Sequence, residues 1–314
     1  MMQSTVINVD VNYVMTNILI SVVGPTAIGK TALSIKLAQH FNADIISADS
    51  RQFYKEMHIG TAVPSREELN TAKHHFIQHK SIEESYSVGD FERDAIAKIS
   101  ELHQKNPIVI MVGGSGLYVK AVTKGLDDFP DVDKNIREEL NKKLETNGLK
   151  PLQNQLKELD PEAYNTIAID NPQRLVRALE ICIGTNKPYS SFLTNPEKKR
   201  DFKTITIGLD AKRDIIYDRI NQRVDLMIEN GLLEEVKKLL PYKNLNALNT
   251  VGYKELFRYF EGFDTLDFAI SEIKKNTRRF AKRQLTWFRK NENITWFNYQ
   301  TDKDQIISYV EKQL

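Results

Sequence analysis

Eight residues, GPTAIGKT at Gly24–Thr31, limit the architecture more than any other part of the sequence. They fit G-x-x-x-x-G-K-[ST], the Walker A pattern, whose glycines let backbone N–H groups close around a polyphosphate. The run before them, Ile18-Leu-Ile-Ser-Val-Val23, is apolar and β-branched, and the run after, Ala32-Leu-Ser-Ile-Lys-Leu-Ala38, repeats apolar residues at helical spacing. Strand, glycine-rich turn and helix start bring free N–H groups and the positive end of a helix dipole to one point, where an anion can sit. Lys30 is then expected at the terminal phosphate oxygens, and the Thr31 hydroxyl at a Mg²⁺ ion bridging them.

The 44 Lys and Arg nearly balance 42 Asp and Glu, so a polyanion-binding surface has to come from local clustering. At 314 residues, 41% of them hydrophobic, the chain can bury a core and suits two domains or one with a large insertion. Its single cysteine, Cys182, excludes internal disulfides and multi-cysteine zinc sites and suits a reducing cytosol. The apolar neighbours Leu179, Ile181 and Ile183 point to packing rather than catalysis for that thiol. No apolar run reaches the length of a membrane span. Residues 1–16 lack the features of a secretory or transit segment, and are read as a disordered extension or as preceding a start at Met15.

From residue 17 the pattern alternates. After the strand at 18–23 and a helix over 30–41, a second strand at 44–48 ends on Asp49-Ser50. Loop and short helix fill 61–80, and a helix reading FERDAIAKISELH has Asp90 at or near its start. A third strand, 107–112, is apolar throughout and ends in Gly113-Gly114. This is an α/β fold, a P-loop doubly wound parallel sheet, with ligands at the carboxyl ends of the strands. Residues 127–200 carry helical periodicity alone, as three helices in KNIREELNKKLETNGL, LQNQLKELD and PQRLVRALEICIG. They read as an all-helical insertion domain within a core of 17–126 and 201–314. The core resumes with a strand at 203–208, continues as a helical C-terminal region of three or four helices, and adds a late strand at 294–297.

A P-loop phosphoryl-transfer enzyme places a magnesium-binding Asp at the end of another apolar strand. Here that strand ends in Gly-Gly, and the acid, Asp49, follows the strand after the P-loop helix. Asp49 has three readings: metal ligand, general base or helix N-cap. Arg219 and Arg223 share a helix face at i, i+4 and could bring a second charge to the phosphates. His74, His75 and His79 in HHFIQH have no zinc-type spacing and no evident carboxylate partner, and read as surface or packing histidines.

The stretch RRFAKRQLTWFRK at 278–290 holds Arg278, Arg279, Lys282, Arg283, Arg289 and Lys290 and no acid. On one helix those cations span an arc of roughly 140°, with Phe280, Ala281, Leu285, Trp287 and Phe288 opposite, facing the core. Such a stripe suits a nucleic-acid backbone, with a solvated face or an acidic lipid or protein surface as the other readings. Gln173, Arg174 and Arg177 at a helix start, and Lys254 after a Val-Gly-Tyr turn, add to it.

Together the blocks GPTAIGKT, ISADSRQFYKEMHIGTAVP, YSVGDFERDA, VGGSGLY, NPQRLVRALEI, VGYKE and KRQLTWFR resemble the tRNA dimethylallyltransferase family, in order, from about Asn17 to Phe297. The resemblance implies transfer of a dimethylallyl group from dimethylallyl diphosphate to N6 of the adenosine 3′ of the anticodon, in tRNAs reading codons that begin with U. It implies Mg²⁺ as cofactor, and the tRNA anticodon stem-loop and the diphosphate as partners. Gly24, Pro25, Thr26, Ala27, Ile28, Gly29, Lys30 and Thr31 would bind the diphosphate, with Thr31 the metal contact, Arg223 a second diphosphate contact and Asp49 the base. Asp49, Ser50, Arg51, Gln52, Ser115, Arg137, Gln173, Arg174, Leu175, Val176 and Arg177 would line the tRNA. So would Asn249, Thr250, Val251, Gly252, Tyr253 and Lys254, and Lys282, Arg283, Gln284, Leu285, Thr286, Trp287, Phe288 and Arg289. The insert would be the anticodon-stem domain of a cytoplasmic monomer with no membrane attachment. Ser115 stands where the family often has Thr, and Gln78 replaces an acid to which no role is assigned.

Such chemistry suits these residues. Breaking the allylic C–O bond loads negative charge on the departing diphosphate, where the loop, Lys30 and Arg223 are aimed. N6 of adenine becomes acidic once alkylation begins, so a placed carboxylate can take its proton, and the base has to be flipped out of its loop to reach it. Three other functions stay open on the residues alone: a P-loop small-molecule kinase, an adenylate prenyltransferase using a free nucleotide, and a non-catalytic RNA-binding protein. The misplaced acid and basic helix weigh against the first, the helical insert against the second, and intact Lys30, Thr31 and Asp49 against the third.

Overall fold

A computed structural model describes residues 16–194 and 197–314. All but Thr16 of the expected N-terminal extension lies outside them. The chain divides into two compact units, 1–123 with 200–314, and 124–199.

The first unit is built on one sheet, whose strands are β1 (Ile18–Val23), β2 (Ile45–Ser47), β3 (His74–His75), β4 (Ile108–Val112), β5 (Lys203–Asp210) and β6 (Ile294–Asn298). Their spatial order is β3-β2-β4-β1-β5-β6, and every pairing is parallel. All six β1 residues are buried. Leu19 and Val23 enter the apolar cluster on one face, Ile18, Ile20 and Val22 the cluster on the other. That two-residue period seals the sheet between helical layers, which is why β4 reads as an unbroken apolar run and β1 as one broken only by Ser21.

Its helices are α1 (Lys30–Phe41), α2 (Arg66–Thr71), α3 (Val88–His103) and α4 (Gly116–Lys124). Ser87 caps α3 in a reciprocal box with Asp90, so Asp90 lies in the first turn. In the second unit come α5 (Lys134–Asn147), α6 (Leu149–Leu159), α7 (Pro161–Thr166) and α8 (Pro172–Thr185). They close over a core of their own that includes Leu140, Leu156, Leu175, Leu179 and the free thiol of Cys182. The one-and-a-half turns of α7 were not expected, being too short to show a period. Back in the first unit follow α9 (Arg213–Glu229), α10 (Leu232–Leu239), α11 (Tyr253–Phe260), α12 (Leu266–Phe288) and α13 (Lys303–Glu311).

Three other expectations need correction. The second strand is shorter than 44–48, and part of the expected loop at 61–80 pairs with it as β3. His75 does have a carboxylate partner, its Nε2 lying 2.8 Å from Asp44 Oδ2. The basic helix stops at Phe288, so Arg289 and Lys290 lie beyond it. No helix among the described residues is long and apolar enough to cross a membrane.

Candidate active site

The neighbouring strands β2, β4 and β1 end at one edge of the sheet, and each runs into a different loop of the site: Asp49–Gln52, Gly113–Ser115 and the P-loop. Gly29 opens α1 at φ 109°, a left-handed conformation that glycine takes without a Cβ clash. No side chain among the described residues caps α1, and its first turn holds no acid. Its leading N–H groups are therefore left for an anion.

Around the loop stand three cations. Lys30 Nζ donates to Pro25 O at 2.7 Å. From α9, one turn apart, Arg219 Nε donates to Ala27 O at 2.7 Å and Arg223 Nη1 to the Thr26 hydroxyl at 3.4 Å. Arg219 also lies over the Tyr299 ring. Both arginines thus face the phosphate loop, Arg219 as a brace for its backbone. Desolvation, reinforced by Arg223, brings Lys30 down to about 7, against the pull of Asp49. Burial and then Arg219 also lower Arg223 from the usual guanidinium range, with Asp49 opposing. Cations that shed water and repel one another are held here at a cost that a bound polyanion would relieve.

These groups line a cavity of about 800 Å³, together with Asp49, Ser115, Lys254, Phe280 and Arg283. Asp49 Oδ1 accepts the Arg51 N–H at 3.0 Å. That carboxylate caps a turn, so the helix N-cap reading falls. Ser115 Oγ accepts the Ser50 N–H at 3.1 Å, tying the β4 loop to the β2 loop. Gln52 is spent on scaffolding: Oε1 accepts from Ser47 Oγ at 3.1 Å, and Nε2 donates to Thr61 O and Ala62 O at 3.2 and 3.0 Å. Arg51 reaches Asn246 O and Ala247 O. His74, taken as surface or packing, lines the cavity too; its Nε2 is buried without a hydrogen-bond partner among the described residues.

Two functional positions were missed. Phe280, assigned to the packed face of its helix, is 38% exposed and lines the cavity. Glu235 on α10 accepts the backbone N–H groups of His58, Ile59 and Gly60 at 2.7–3.0 Å, and so fixes the start of the Gly60–Pro64 wall.

Along α12 the candidate RNA contacts separate. Lys282, Arg283, Thr286 and Trp287, with Arg279 and Lys290, surround an outer groove, and Arg283 also lines the main cavity. Trp287 is 41% exposed, not packed away as expected. Arg289 Nη2 instead bonds Asp210 Oδ2 at 2.5 Å. Phe288, Gln284 and Tyr253 are buried, and Leu285 is half-buried. Asn249, Thr250, Val251, Gly252 and Lys254 line the cavity.

In the second unit, Gln173 and Arg174 are exposed at the start of α8, while Leu175 and Val176 belong to the unit's core. Arg137 grips Glu180 with Nε and Nη2 at 3.1 and 2.7 Å, and Arg177 reaches the same carboxylate at 3.0 Å while lying over Phe129. Burial alone would raise the Glu180 carboxyl; the hydrogen bonds from Arg137 and Arg177 outweigh it and hold it low. Leu175, Val176, Phe288, Gln284 and Tyr253 therefore do not present side chains to a partner as expected.

The oxygen donors at the phosphate loop, the Thr31 hydroxyl and the Asp49 carboxylate, are of the hard type that magnesium takes alongside phosphate oxygens. The donor set fits that ion.

The family model for IPP transferase matches residues 52–291. A tRNA dimethylallyltransferase of Christiangramia forsetii is 63% identical over 300 residues, covering 96% of this chain and 99% of its own. One from Flavobacterium johnsoniae is 62% identical, covering 94% and 98%. Among solved structures, a tRNA isopentenylpyrophosphate transferase of Bacillus halodurans superposes with a TM-score of 0.69 at 40% identity, covering 94% of this chain and 95% of that one. A eukaryotic dimethylallyltransferase, described as acting on tRNA, gives a TM-score of 0.79 at 27% identity over 95% of this chain and 77% of its own.

Proposed function

Because the chain belongs to the IPP transferase family, we propose that it transfers a dimethylallyl group from dimethylallyl diphosphate to N6 of the adenosine 3′ of the anticodon, in tRNAs that read codons beginning with U. One observation carries the mechanism: a single cavity holds the uncapped start of α1, Lys30, Arg223 and the Asp49 carboxylate. The leading N–H groups of α1 and the two cations receive the diphosphate. When the allylic C–O bond breaks, its electron pair leaves with the diphosphate, onto charges already in position. The N6 lone pair forms the new C–N bond, and the N6 proton passes to Asp49. Magnesium, held at Thr31, would supply further neutralisation of the leaving group.

The acceptor has to bring a base into this cavity. Arg283 lines both the cavity and the outer basic groove, which supports a polymer lying on α12 with one base turned inward. Gln173, Arg174, Arg137 and Arg177 supply the second unit's contacts to the anticodon stem.

The test is incubation with labelled dimethylallyl diphosphate, Mg²⁺ and total tRNA. Label on adenosine, with release of pyrophosphate, is the expected result. Label-free RNA, together with ATP-dependent phosphorylation of a small molecule, would overturn the proposal.

A further inference from the structure

Gln284 sits in the middle of the basic run, between Arg283 and Trp287, yet only 6% of it is exposed. Its amide turns inward and joins two loops distant in sequence. The Thr26 N–H donates to Oε1 at 2.8 Å, and Nε2 donates to Gly114 O at 2.9 Å. An N–H can meet only the oxygen and a carbonyl only the nitrogen, so the two partners fix the amide's orientation. An ionised glutamate of the same length would offer acceptors only, and a methionine no donor. The approach is also tight: a Cβ added to Gly114 would lie 2.2 Å from Nε2 and 3.8 Å from Lys30 Nζ.

Consequently the Thr26 N–H is spent within the protein and is no donor to a diphosphate. The loop's hold on an anion then rests on the N–H groups at the start of α1 and on the cations. Those groups converge only if the stretch before them keeps its path. We propose that Gln284 is a positioning residue that pins the P-loop to the β4 turn in its anion-receiving form, and makes no contact with RNA. This rests on the reading of the P-loop as the diphosphate site. Preformed donors bind more tightly because the loop has no ordering left to do.

The experiment uses the full chain with Gln284→Glu, Gln284→Met and, independently, Gly114→Ala, which crowds the amide from the other side. Three quantities are read: calorimetric affinity for inorganic pyrophosphate with Mg²⁺ and no RNA, affinity for an anticodon stem-loop RNA without diphosphate, and the split between KM for dimethylallyl diphosphate and kcat. All three variants are expected to lose about tenfold or more in pyrophosphate affinity, with a matching rise in KM. RNA affinity should stay within about twofold, which also reports that each variant is folded. Weakened RNA binding with pyrophosphate affinity unchanged would make Gln284 an RNA contact and overturn the proposal. Unchanged values on all three measures would overturn it equally. Should the wild-type protein itself bind neither pyrophosphate nor the allylic diphosphate, the reading of the P-loop fails and this inference falls with it.

Discussion

The Tyr253 hydroxyl donates to Glu235 at 2.6 Å, and this pair holds the cavity wall from behind. Glu235 gathers three successive backbone N–H groups, and the Tyr253 ring passes so close to Gly60 that an added Cβ would lie 2.6 Å from it. Burial, with the Glu235 charge beside it, raises the Tyr253 hydroxyl far above the ordinary phenol range, so it remains a donor at any working pH.

Removing that carboxylate leaves four donors without their acceptor. Glu235→Ala is expected to cost about 3 kcal/mol of stability, and Tyr253→Phe about 1 kcal/mol, because three of the four donors keep their partner. Urea unfolding gives both values. A Glu235→Ala protein as stable as wild type would show that the wall is held by other contacts.

Asp49→Asn keeps an oxygen for the Arg51 N–H but cannot take the N6 proton. Turnover is expected to fall by about 10²–10⁴-fold, with the melting temperature and RNA affinity nearly unchanged. Single-turnover kinetics on a stem-loop substrate is the measurement. A variant that melts early and turns over normally would reduce Asp49 to a turn residue.

Lys30 gives up its proton at about 7 in the folded protein instead of 10.5. Between those values the unfolded chain holds more protons, so this group makes stability rise with pH across the window; below about 7 the cost of the desolvated ammonium is complete. Lys30→Met should therefore be most stabilising, relative to wild type, below pH 7, and the gap should close toward pH 10.5. An anion in the loop favours the ammonium. Binding of the allylic diphosphate at pH 8 should then take up close to one proton, and binding by Lys30→Met should not. Calorimetry in buffers of different ionisation enthalpy decides this.

Lys282 and Arg283 border the outer groove, but only Arg283 also lines the cavity. Lys282→Ala should weaken RNA uniformly and lower the salt slope by about 1. Arg283→Ala should do the same and reduce turnover as well. Equal salt slopes for wild type and both variants would place the RNA elsewhere.

The sheet was legible because burial on both faces writes itself into the sequence: β4 is apolar throughout and β1 is so apart from Ser21, and Gly24–Thr31 follows β1. β3 carried no such mark. His74 and His75 pair at an edge with a strand of three residues, where neither alternation nor an apolar run is required. The P-loop and Asp49 could be proposed as neighbours because topology sends parallel strands to one edge, whereas Arg219 and Arg223 rested on their shared helix face and on the family resemblance. Gln284 and Glu235 could not be read correctly. Glutamine among arginines and glutamate in LLEEVKKL look like solvated helix faces, and only tertiary placement turns them inward. Phe280 shows the reverse: an aromatic at core spacing was read as packing, yet its helix borders a cavity on that side.

One clasp near the helical unit has a further consequence. The Lys198 N–H bonds Lys124 O at 2.9 Å, and just inside it Arg200 Nη2 bonds Ala121 O at 2.6 Å. More than seventy residues therefore leave and rejoin the core as through a buttonhole, and to the sheet this long excursion is no wider than a hairpin. The cost of closing such a loop grows only slowly with its length. Whatever hangs from that fastening can be lengthened, shortened or exchanged without pulling on the strands that shape the reaction chamber.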